Sequence, residues 1–95
     1  MANGRAVTTI YFGSTPVAEK SFTITDSNIT AGMVIEAFVS GGDSTSDNAT
    51  GDHDHAAASW RCAPSLGGDG SFTADVYCLM DLCWGTFKLQ YAYST

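Results

Sequence analysis

Ninety-five residues with a formal net charge of −6 and only four Lys and Arg set narrow bounds on this chain. The length suits one domain on a single core, and the scatter of Arg5, Lys20, Arg61 and Lys88 provides no basic stripe for phosphates, which excludes nucleic acid and anionic membrane as partners. No apolar run approaches a membrane span, and Met-Ala-Asn-Gly-Arg lacks the apolar core of a signal peptide, so the chain is expected to fold in a cytoplasm.

In chain order, Arg5 to Phe12 alternates Val7, Thr9 and Tyr11 against Ala6, Thr8, Ile10 and Phe12. That pattern predicts a strand whose two faces are both partly buried. Gly13-Ser14-Thr15-Pro16 is turn chemistry, and Val17 to Thr25 resumes extended, with Phe22 and Ile24 facing alike. After the turn formers Asp26-Ser27-Asn28, Met33 to Ser40 sets Ile35, Ala37 and Val39 against Val34, Glu36 and Phe38. Helical spacing also links Val34, Ala37 and Phe38, but the β-branched residues and the flanking glycines favour a strand. The lone Glu36 between two apolar neighbours predicts that its face meets solvent or a neighbouring subunit.

Gly41 to Asp54 (GGDSTSDNATGDHD) reads as a long polar loop, of the kind that is mobile or functional. His55 to Ala63 then predicts a strand, with Ala58, Trp60 and Cys62 opposite Ala57, Ser59 and Arg61, and Pro64 to Gly70 a turn. Ser71 to Met80 alternates most clearly, with Phe72, Ala74, Val76, Cys78 and Met80 inward. Asp81-Leu82-Cys83 is a short connection to Trp84–Tyr93, where Phe87, Leu89, Tyr91 and Tyr93 share a face. Its tight link to the preceding strand predicts a hairpin, and its place at the end of the sequence an edge strand open to subunit contact. The expectation is an all-β fold: a single domain over 1–95, a small antiparallel β-sandwich, jelly-roll-like or immunoglobulin-like, of about six to seven strands.

Candidate chemistry centres on Gly51-Asp52-His53-Asp54-His55, which holds both histidines. On an extended strand His53 and His55 share a face and offer two imidazoles to one ion, but spacing places no third ligand in the chain. Only three chains around a symmetry axis would assemble six. No elbow motif surrounds a serine, and Cys-His catalysis would need a thiolate beside a cation, for which only Arg61 neighbours Cys62. The glycine pairs precede no helix that would cradle phosphate. We therefore assign no catalytic, cofactor-binding or metal-ligating residue.

Cys62, Cys78 and Cys83 are an odd set, read mainly as buried thiols, with a Cys78–Cys83 bridge left open. The sequons at Asn28 and Asn48 are read as chance. Trp60, Trp84, Phe87, Tyr91 and Tyr93 are read as core ahead of a stacking platform.

The second half carries a resemblance. An Asp-His pair leads into a strand, then GSFTADVYCLMD, then WGTFKLQYAYS; the first half matches more loosely through FTITDSNITAGMVIEAFV. From Phe22 to Ser94 the chain resembles small virion structural proteins of tailed bacteriophages, departing from them in the Cys83-Trp84 lead-in. The resemblance implies a non-enzymatic β-domain of a phage particle, assembled in the bacterial host cytoplasm. Its implied role is a capsid decoration (cement) protein, a homotrimer bound to major capsid subunits. The alternative is a tail, fibre or spike module whose long loop reads a host surface. Asp52, His53, Asp54 and His55 would then mark a loop-to-strand junction at a subunit contact, with no cofactor.

Overall fold

Strands form where side chains alternate, because successive residues of an extended chain point to opposite faces and one face can be buried whole. The computed structural model describes residues 4–41, 44–78 and 82–94. In chain order the elements are β1 (Gly4–Tyr11), β2 (Glu19–Thr25), β3 (Val34–Val39), α1 (Thr50–Ser59), β4 (Trp60–Gly68), β5 (Ser71–Cys78) and β6 (Thr86–Ser94). Two three-stranded sheets, ordered β1-β6-β3 and β2-β5-β4, pair antiparallel throughout. They pack face to face as a small β-sandwich, the expected class.

The core follows the alternation. Phe72, Ala74, Val76 and Cys78 of β5 are buried against Phe87, Leu89, Tyr91 and Tyr93 of β6. Phe12 sits between the sheets, its ring edge-on to Phe22, Trp60 and Phe87 at centroid distances of 5.1, 5.4 and 6.0 Å. One end of the sandwich is closed by the 26–33 turn, which inserts Ile29 and Met33. This turn is tied to the β4–β5 connection: the Asp26 N–H donates to the Gly70 carbonyl at 2.9 Å, the Gly70 N–H to the Ile29 carbonyl at 2.8 Å, and the Ala31 N–H to Asp69 Oδ1 at 2.6 Å.

The Tyr91 hydroxyl donates to Asp26 Oδ2 at 2.6 Å and so joins that turn to the first sheet. This bond, followed by one from the Asn28 N–H, holds the Asp26 carboxyl below the usual carboxylate range, while burial and Asp26 push the Tyr91 phenol up. A depressed carboxyl stabilises the fold above its unfolded value of 3.8 and loses that contribution as pH falls through its lower folded value. Tyr91→Phe is therefore expected to cost about 1 kcal/mol near neutral pH, the low end for a bond to a charged group because Asp26 is largely solvated. The difference from wild type should shrink at acid pH in urea titrations; a constant difference would place the loss in packing.

Several expectations are corrected. β5 and β6 do not form a hairpin: they are the central strands of opposite sheets, and the hairpin is β4–β5, turning at Asp69-Gly70. Their connection is spanned by a Cys78–Cys83 disulfide, so these two cysteines are not free thiols. β6 is not an edge strand either, since β1 and β3 flank it. The predicted turn from Pro64 is strand as far as Gly68, where a register irregularity at Leu66/Gly68 ends it. The expected reach of β5 to Met80, and Asp81, lie outside the described residues.

The predicted loop to Asp54 and strand from His55 are replaced by α1 across residues 50–59. Three consecutive alanines favour helix over strand when no cross-strand partner rewards β-branching. At its start the Asp52 carboxylate accepts from the Ala49 N–H at 3.0 Å, satisfying an orphan donor and opposing the helix dipole. Near its end the Ser59 hydroxyl donates back to the His55 carbonyl at 2.7 Å. Only His53 and Ala56, one turn apart, are buried.

Candidate functional site: an exposed sheet face

On a helix, residues two apart diverge by about 200°, so α1 separates the two histidines that a strand would have aligned. His53 is fully enclosed, its ring 4.7 Å from that of Phe87, while His55 is exposed. The premise for a shared ion between chains is thereby lost. Among the described residues no group of three His, Cys, Asp or Glu side chains comes together to hold a metal. Asp52 is used at the helix start, and Asp54 is exposed beside Gly41.

His53 Nε2 lies 3.4 Å from Thr45 Oγ1, a long contact. The single hydroxyl hydrogen of Thr45 already faces two acceptors, Asp47 Oδ1 at 2.8 Å and the Thr86 carbonyl at 2.9 Å. The consistent tautomer therefore carries its proton on Nε2. That leaves Nδ1 a buried lone pair with no partner among the described residues.

The segment before α1 is a polar clamp on the start of β6. Asp47 Oδ2 accepts from the Thr86 N–H and hydroxyl, both at 3.0 Å, and the Asn48 amide faces the Trp84 and Thr86 carbonyls at 3.2 Å. Hydrogen bonds from Thr45, then Thr86, hold the Asp47 carboxyl below its ordinary range. Asn48 is buried and engaged here, so its sequon serves the fold. The supposed recognition loop is thus structural at its second half. Gly42 and Asp43 lie outside the described residues.

Beside the clamp is a cleft of about 150 Å³, lined by Asn48, Asp52, His55, Trp60, Leu82, Trp84 and Phe87. The expected split of the aromatics is uneven here: Phe87, Tyr91 and Tyr93 are core, Trp60 is half-buried, and Trp84 is 45% exposed. Cys62 faces inward while Arg61 points out, so the cation next to it in sequence does not face the thiol. Burial, then the Asp75 charge, pushes it up to about 11, away from a nucleophilic thiolate at neutral pH.

The two sheets differ outside. The second sheet presents Glu19, Ser21, Thr23, Thr25, Ser71, Thr73, Asp75, Tyr77, Arg61, Ala63 and Ser65, a mostly polar surface on which Ser21 hydrogen-bonds to Asp75. The first exposes Val7 (56%), Tyr11 (55%), Val34 (60%) and Phe38 (53%), with Arg5, Thr9, Glu36, Lys88 and Gln90 among them. Large apolar side chains on one sheet face of a small domain make that face a candidate interaction surface. Its sequence signal was present: β1 and β3 carry bulky apolar residues on both faces, and Glu36 interrupts Val34 and Phe38 as an outer residue would. The closing strand, expected as an edge open to subunit contact, instead has Tyr91 and Tyr93 buried in the sandwich. No protein-family model matches the chain, and no curated protein or solved structure shows significant similarity to it.

Proposed function

We propose that this chain is a non-enzymatic structural component of a bacteriophage particle, a capsid decoration protein that associates with itself and binds major capsid subunits. The observation that carries this reading is the apolar outer face of the β1-β6-β3 sheet, the only described sheet face bearing Val7, Tyr11, Val34 and Phe38 in the open. The resemblance of Phe22 to Ser94 to small virion proteins supports it. The enclosed His53 and the protonated Cys62 thiol support a non-catalytic role, because neither group is placed to exchange a proton with a substrate. The Cys78–Cys83 bridge suits a particle that works outside a reducing cytoplasm. A homotrimer was the expectation, but the route to it through His53 and His55 is gone, and the symmetry is taken up below.

A tail, fibre or spike module reading a host glycan is a second reading, favoured by the cleft where Trp60 and Trp84 stand beside Asn48 and Asp52. One experiment separates the two. Labelled protein is sedimented with shells of the cognate major capsid protein and, separately, with host cells. Saturable binding to shells, weakened at least tenfold by Phe38→Ser, is the expected result. Binding to cells only, abolished by Trp84→Ala, would replace the decoration role with the second reading.

A further inference from the structure

We propose that the outer face of the first sheet pairs with the same face of a second copy, the two related by a two-fold axis running along β6. This rests on the reading of that face as an assembly surface and names its partner. The register supplies the argument. β1, β6 and β3 align Arg5, Ala92 and Glu36 in one outward row and Val7, Gln90 and Phe38 in the next, with Thr9 and Lys88 after that and Ser94 with Val34 at the other end.

A two-fold rotation about an axis parallel to β6, lying between the stacked sheets, exchanges left and right and preserves order along the strands. β1 of one copy then covers β3 of the other. Arg5 lies over Glu36 of the second copy, and Glu36 over its Arg5, so both charges are matched twice. Val7 lies over Phe38 twice, small against large, which lets two sheets interdigitate at about 10 Å. Gln90 and Ala92 fall near the axis and meet themselves, as does Lys88 one row on, whose like charge opposes the pairing at that end. Within one chain Arg5 and Glu36 are separated by β6, roughly 10 Å at the backbone, which leaves both available to a partner. The other two-fold, across the strands at the Val7 row, stacks Phe38 on itself and sets Arg5 against Thr9, leaving Arg5 unmatched while Lys88 of the second copy comes over Ala92 beside Glu36.

Three strands of this length span roughly 14 by 25 Å, less than half the ~800 Å² per partner of a standard interface. The pairing is therefore weak in dilute solution and becomes substantial when copies are concentrated on a shell.

Sedimentation equilibrium of the full chain tests this. A monomer–dimer equilibrium is expected by ~200 µM, the range for a small interface. Arg5→Glu and Glu36→Arg should each weaken pairing at least tenfold, by setting like charges together twice. An equimolar mixture of the two variants should recover wild-type affinity, because each mixed pair restores both charge matches. Thr23→Asp, on the opposite sheet, should change nothing, and circular dichroism should be native for every variant. A wild-type chain that stays monomeric at ~200 µM or forms trimers overturns the proposal, as does a mixture no tighter than either variant alone. If pairing behaves as described but shells are not bound, the decoration role falls while the two-fold contact stands. Shell binding without pairing gives the reverse.

Discussion

Gly85→Ala is expected to destabilise the protein by about 3 kcal/mol, lowering the thermal midpoint by roughly 12–24 °C for a domain of this size. Two effects combine at this position. Gly85 has φ +79, where an L side chain costs about 1 kcal/mol. A Cβ there would also meet Asn48 Nδ2 at 2.7 Å and Asp47 Oδ2 at 2.9 Å, atoms engaged with Thr86 and Trp84. Relieving the clash means loosening the clamp that locks the 45–48 segment onto β6. Gly13 is the internal control: its φ is +97 but a Cβ would meet nothing within 4 Å. Gly13→Ala should therefore cost only about 1 kcal/mol. The excess at Gly85 should shrink in an Asp47→Ala background. Equal costs at the two glycines, read from urea midpoints, would mean the clamp contributes nothing.

His53 should show a large and diagnostic contrast between two substitutions. His53→Ala is expected to cost about 3 kcal/mol, since it empties a fully enclosed site against Phe87 and the surroundings relax only in part. His53→Leu should fall within about 1 kcal/mol of wild type, on either side. Leucine keeps the contact with Phe87 and removes a buried ring nitrogen that has no partner among the described residues. If leucine is as damaging as alanine, the long contact to Thr45 matters more than its 3.4 Å suggests.

Why β5 and β6 could be read from sequence while α1 could not is a matter of which forces were visible locally. A strand buried on one face shows itself through period-two alternation, and Phe72 to Cys78 and Phe87 to Tyr93 both carry it without interruption. The same period misled at Ala57 to Cys62. There small residues alternate with no strong apolar contrast, and the actual determinants were the Asp52 contact to Ala49 and two buried positions a turn apart. The class of fold thus follows from side-chain alternation, because burial of one face is a local property of the chain. So does the second apolar face of β1 and β3, legible as Val7, Tyr11, Val34 and Phe38 standing opposite core residues.

Which strand neighbours which is not local. The order β1-β6-β3 depends on long-range pairing, whose entropy cost is offset only when both sheets close on one core. That closure buried Tyr91 and Tyr93, joined Cys78 to Cys83, placed His53 behind Phe87, and lined up Arg5, Ala92 and Glu36 in one outward row. Alternation along single strands marked the sandwich and its exposed apolar face. The pairing of distant strands set the register that places Arg5 and Glu36 in one row across that face.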